Sequence, residues 1–170
     1  MNIKLTDMFL AELDREAKGT RRALERVPDG RADFQPHEKS MDLGRLATLV
    51  AGMPGWIEMM INLDELDMVP GDKKTRPPVL ATSGALLDAH EAAVGKAREA
   101  LKRTTEDHLD APWRLLVSGK VVSSAPRHIM IRDTMSHLSH HRGQLTVYLR
   151  LLGAPVPAIY GPSADDPRFD

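Results

Sequence analysis

Seven histidines are present, and four of them fall between His128 and His141. At about 100° per helical residue, His141 stands roughly 40° round the helix from His137 and one turn beyond it. Two imidazoles placed in this way on a rigid helix can hold one divalent cation. Thr134, Leu138, Leu145, Tyr148 and Leu152 cluster within roughly 100° of His137 on the same wheel. Both histidines are therefore expected on the buried face, toward one edge. His140 points away on the other side, and Asp133 lies one turn before His137 on the same edge. Leu138 stands where a zincin helix carries its catalytic glutamate, and no Glu-x-x-His pair of a di-iron carboxylate bundle occurs. A purely structural reading of the pair is equally open, in which both rings are partly buried and hydrogen-bonded to neighbours such as Asp133 or Gln144.

The elements that must position this pair read as helices. The chain has 170 residues, 42% of them apolar and only 4% aromatic, which fits one helical domain with its own core. Leu5, Phe9, Leu13, Ala17, Thr20, Leu24 and Val27 make one buried stripe. That first helix, about Leu5 to Val27, has Thr6 or Asp7 as its cap and Pro28-Asp29-Gly30 as its stop. A second helix spans about Leu43 to Leu63, capped by Ser40 or Asp42. Pro54 removes the hydrogen bond to Val50 and kinks it. Val69 to Val79 reads as a loop. Ser83 caps a third helix running to about Lys102, with Leu86, Leu87, His90, Val94, Ala97 and Leu101 inward. Trp113 to Val122 forms a short hairpin around Ser118-Gly119-Lys120. The fourth helix runs from about Arg127 to Leu152 and stops at Gly153, and the tail from about residue 153 is too rich in proline for a regular element. The expectation is an all-α, four-helix bundle with a hairpin-like insertion before the last helix.

Composition closes several functional classes. Lys and Arg total 23 against 24 Asp and Glu, for a net charge of -1, so no basic footprint for nucleic acid is present. With no cysteine, thiolate catalysis and cysteine-zinc sites are excluded. No stretch reaches membrane-spanning length and no secretory h-region occurs, which makes the cytoplasm the expected compartment.

Pro36-His37-Glu38-Lys39-Ser40-Met41, Leu43-Gly44-Arg45-Leu46-Ala47, Met53-Pro54-Gly55-Trp56, Ala125-Pro126-Arg127, His137-Leu138-Ser139-His140-His141-Arg142-Gly143-Gln144, Tyr148 to Leu152 and Ile159-Tyr160-Gly161-Pro162-Ser163 together resemble the DinB-like family. The likeness covers nearly the whole chain. It implies an up-down-down-up bundle, a homodimer, and a divalent metal (Zn, Ni or Mn) held by three histidines. The family's H-x-x-x-H pair maps onto His137 and His141, and its second-helix ligand onto Leu49, which cannot ligate. Losing one donor of three leaves a site that two imidazoles seldom keep filled. His90, inward on the third helix, is the best substitute ligand, and His37 is a second. Each also reads as structural, His90 as a core histidine and His37 in a loop network. Asp133 either ligates or orients His137. Arg142, Gly143 and Gln144 read as packing or dimer residues, Trp56 as a core or interface anchor, and the methionines as gap-fillers.

Two functions follow from the resemblance. In the first, a degenerate metal site activates water or a thiolate, giving a hydrolase or thiol transferase acting on a small electrophile. In the second, the metal is lost and the scaffold serves as a dimeric small-molecule-binding or stress-associated protein.

Overall fold

The computed structural model describes residues 4–69 and 78–169. Six helices and three short strands follow one another. α1 spans Leu5–Leu24, α2 Leu43–Gly52, α3 Gly55–Asn62 and β1 Glu65–Asp67. α4 spans Ser83–Arg103, α5 Glu106–Asp110, β2 Pro112–Val117, β3 Lys120–Pro126 and α6 Arg127–Leu151. The all-α expectation is corrected by a three-stranded sheet in the order β1-β2-β3. Residues 70–77, most of the loop expected between Val69 and Val79, lie outside the described residues.

Pro54 does more than bend the second helix. It divides it into α2 and α3, because the chain turns with three-residue spacing where Pro54 has no N–H to give. Trp56 N donates to Met53 O and Ile57 N to Pro54 O, at 3.0 and 3.2 Å. The caps also differ in part from expectation. Asp42 does cap α2, accepting from Arg45 N at 2.7 Å. α1 instead borrows the Glu106 carboxylate, which accepts from Leu5 N and Thr6 N at 2.9 and 3.2 Å. Thr82, not Ser83, caps α4 through its hydroxyl. α6 ends where expected, with Gly153 at φ +72°, a left-handed conformation that glycine adopts without strain.

The hairpin turns at Ser118 and Gly119, both at positive φ, the geometry that matches strand twist in a two-residue loop. β1 was not legible in the sequence. It pairs parallel to β2, Leu66 beside Leu115, and its Asp67 carboxylate accepts from the backbone of Val69, Ser118 and Gly119 at 2.7–3.0 Å.

α1, α4, α6 and the α2–α3 pair pack side by side. Two apolar clusters result, one around Leu24, Leu46, Leu86, Leu138 and Leu145, the other around Phe9, Leu13, Ile57, Leu101 and Trp113. Each fully buried leucine contributes about 2 kcal/mol. Trp56 packs against both clusters and so sits at their junction. Arg127 is buried and fastens the sheet to the helices. Its guanidinium donates to Met60 O (2.9 Å), Pro112 O (3.0 Å) and Leu63 O (3.3 Å) and pairs with Asp64, which satisfies carbonyls left over at the end of α3. Among the described residues, no helix is long and apolar enough to cross a membrane.

Candidate functional site

The histidine pair stands on α6 as a touching pair of rings. The centroids of His137 and His141 are 4.6 Å apart, and His140 meets His141 edge-on at 5.1 Å. The expected burial needs correction. His137 is exposed and His141 half-buried, so the pair sits at the rim of the inner face. The cause is Arg142, which takes an inward position together with Ile131, Met135 and Leu149 and turns the helix away from the phase that apolar residues alone indicate.

Partly withdrawn from water, and further disfavoured by the charges of His141 and His140, the His137 ring titrates below the usual histidine range. His141 is held by Gln144. Its Nδ1 lies 2.7 Å from the amide oxygen and donates to it, leaving Nε2 with the lone pair. This is one of the two neighbours expected from spacing.

Other candidates are placed elsewhere. His90 is inward, as expected, but across the core, with Nε2 3.1 Å from Ala17 O. His37 is exposed, and its Nδ1 accepts from Lys39 N at 3.1 Å, a loop role. Asp133 is exposed, 4.0 Å from Arg132. Arg142 is buried against its own chain rather than presented to a partner.

Leu49 is half-buried and packs against the apolar cluster around Leu24, Leu46 and Leu138. Its level along α6 follows from cross-helix pairs. Thr134 meets Met60, Trp56 meets His137 at 5.8 Å, and Tyr148 OH donates to Met41 O at 3.0 Å. The segments thus run antiparallel, and Leu49 falls between the levels of His137 and Tyr148.

The donor set does not fit a resident divalent metal. Position 49 carries a leucine, which has no donor atom, Nε2 of His90 faces Ala17 O, and His37 and Asp133 are exposed, beside Lys39 and Arg132. Among the described residues, no three His, Cys, Asp or Glu side chains converge in a way that could hold a metal ion.

Beside the pair lies a feature invisible to spacing. A cavity of about 270 Å³ opens between α3, the first half of α6 and the sheet, with Trp56, Trp113 and four methionines in its wall and His137 at its edge. Its walls come from three distant segments of chain, and no local periodicity joins them. The buried ion pair of Arg142 and Glu16, joined by the exposed Tyr160 through its hydroxyl, was missed for the same reason.

A model of the DinB family matches residues 1–168. The chain belongs to the DinB family. It is 28% identical over 160 residues to the uncharacterized protein YrdA of Bacillus subtilis, covering 94% of this chain and 90% of that one. Solved structures agree in fold. A DinB-like protein from Bacillus cereus superposes with a TM-score of 0.69 at 22% identity, over 89% of this chain and 95% of the other. The DinB-like protein YjoA of Bacillus subtilis gives 0.65 at 18% identity, over 86% and 92%.

Proposed function

We propose that this DinB-family chain binds a small molecule without a resident metal. One observation carries the reading: among the described residues the donor set stops at two imidazoles, with Leu49 where the resemblance expects the third ligand. The cavity beside His137 supplies the space such a ligand needs. Elemental analysis of protein purified without an affinity tag tests this. Less than one-tenth of an equivalent of zinc, nickel or manganese, and unfolding indifferent to a chelator, is the expected result. A stoichiometric metal lost on His137→Ala overturns it.

A second reading is the metal-dependent hydrolase or thiol transferase that the family resemblance implies. The 4.6 Å approach of His137 and His141, with His137 disposed to remain neutral, favours it. It requires a third donor from outside the described residues, so the same elemental analysis decides between the two.

The reading extends to the assembly. One domain forms an up-down-down-up bundle of α1, α2–α3, α4 and α6, working in the cytoplasm as a homodimer. Gly143, Val147 and Leu151 share one exposed face of α6, and Val147 and Leu151 are 58% and 59% exposed, a surface that a second copy would cover. A dimer in sedimentation that becomes monomeric with Val147→Glu is expected. A monomeric wild-type chain at micromolar concentration contradicts it.

A further inference from the structure

The cavity beside His137 has a chemical polarity that narrows what it holds. Its wall is apolar and polarizable: the indoles of Trp56 and Trp113 with the thioethers of Met59, Met60, Met68 and Met130. Such a lining fits an alkyl or aryl body and adapts to its shape. Its volume of about 270 Å³ lies just below the usual range for ligand sites, which suits a small ligand and leaves no room for a dinucleotide.

The edge differs from the wall. Among the described residues, Asp133 is the one carboxylate in the lining, and no lysine or arginine joins it there. Arg132 approaches Asp133 only at 4.0 Å from the outside, and both side chains are more than 60% exposed, so their mutual attraction is weak. The Thr134 hydroxyl already donates to Met130 O at 3.0 Å, which leaves its oxygen as an acceptor. Asp133 therefore brings negative charge to the edge and Thr134 an acceptor, while His137 and the Trp113 N–H are the donors of the lining, and indole surfaces attract cations in addition.

From this geometry we infer that the cavity takes a small organic ammonium ion, its apolar body among the tryptophans and methionines and its charged head at Asp133. The inference rests on the small-molecule reading above and adds the ligand's charge class. No metal enters it, so elemental analysis and the binding test below fail independently.

Three probes with one body and different heads test it: 2-phenylethylammonium, 2-phenylethanol and 3-phenylpropanoate. The chain has two tryptophans and both line the cavity, so intrinsic emission reports occupancy, with calorimetry giving affinity. The ammonium should bind about fivefold more tightly than the alcohol, the size of one partly exposed charge contact. The carboxylate should not saturate. Asp133→Asn, a surface change that leaves folding intact, should bring the ammonium to the level of the alcohol without altering the alcohol. Met130→Trp should fill the space and weaken both. Equal or tighter binding of the carboxylate, or an ammonium preference that survives Asp133→Asn, overturns the charge assignment while leaving a small-molecule site in place. Absence of binding by all three probes overturns the cavity assignment itself.

Discussion

Arg142 Nη2 lies 2.7 Å from Glu16 Oε2, with only 1% and 7% of the two side chains exposed. The same guanidinium donates to Glu16 O and Thr20 Oγ1, each at 3.1 Å, and to the Tyr160 hydroxyl at 2.5 Å. Tyr160 in turn donates to Glu16 at 2.9 Å, so the C-terminal tail is fixed to α1 and α6 through one ion pair. Gly19 leaves room for it, since a Cβ there would stand 3.3 Å from Arg142 Nη1.

Removing one partner strands the other charge in the core. Arg142→Ala and Glu16→Ala should each cost about 3–5 kcal/mol in urea unfolding with an unchanged m-value. Replacing both together, Glu16→Leu with Arg142→Met, should cost much less than the sum. Additive losses would show that the two side chains do not act as a pair.

His90 gives the fold a defined response to acid. Burial pushes its ring below the ordinary value of 6.5, outweighing the carbonyls of Ala17 and Ala51 and the charge of Glu91, which raise it, while Arg21 lowers it further. The unfolded chain therefore takes up this proton at a higher pH than the folded one does. Stability from His90 is complete above its ordinary value and declines as pH falls below it. The urea midpoint should drop between pH 7.5 and pH 5.5 in the wild type and drop less in His90→Met. Identical pH dependence in the two proteins would remove His90 from the explanation.

The helices were legible because their apolar residues recur at one period, and Leu46, Leu86, Leu138 and Leu145 all lie in the core as that period requires. The turn of the hairpin was legible from Ser118-Gly119. What escaped was long-range and polar. Glu16, Arg127 and Arg142 are buried, and a periodicity count places charged residues outside. Misplacing Arg142 shifted the phase of α6 and put His137 too deep. β1 is three residues long and pairs with a strand nearly fifty positions on, which no local pattern encodes. The cavity inherits that difficulty, since β1 and β2 form one of its sides.

Asp67 should govern how firmly that side is held. Its Oδ1 accepts from Val69 N at 2.9 Å and Ser118 N at 3.0 Å, and its Oδ2 from Gly119 N at 2.7 Å. These backbone hydrogen bonds, that from Val69 first, hold the carboxyl below its ordinary 3.8. The tie is complete above that value and lost as pH falls through the lowered one. At neutral pH, Asp67→Ala should speed hydrogen exchange at Ser118 and Gly119 and weaken any ligand of the cavity, because Met68 is positioned by the same segment. Unchanged exchange at both amides would show that the β1–β2 pairing suffices alone.

Leu49 offers the sharpest test of the proposed metal-free site. Cross-helix pairs bracket it between the levels of His137 and Tyr148, and a histidine there that reached the pair would add a third neutral nitrogen to the two on α6. A third donor converts a weak bidentate contact into a tetrahedral site with one open position. Leu49→His should therefore raise zinc affinity by about two orders of magnitude, measured by competition with a chromogenic chelator. The same change removes a half-buried leucine from the cluster around Leu46 and Leu138, so the metal-free variant should be destabilised by about 1–2 kcal/mol and regain that loss when zinc is added. Two controls assign the effect. Leu49→Ala should be destabilised without gaining affinity, and Leu49→His combined with His141→Ala should lose the gain. Zinc affinity unchanged in Leu49→His would mean that the two helices do not bring position 49 to the histidines, and the proposal that a leucine stands in for a third ligand would fall with it.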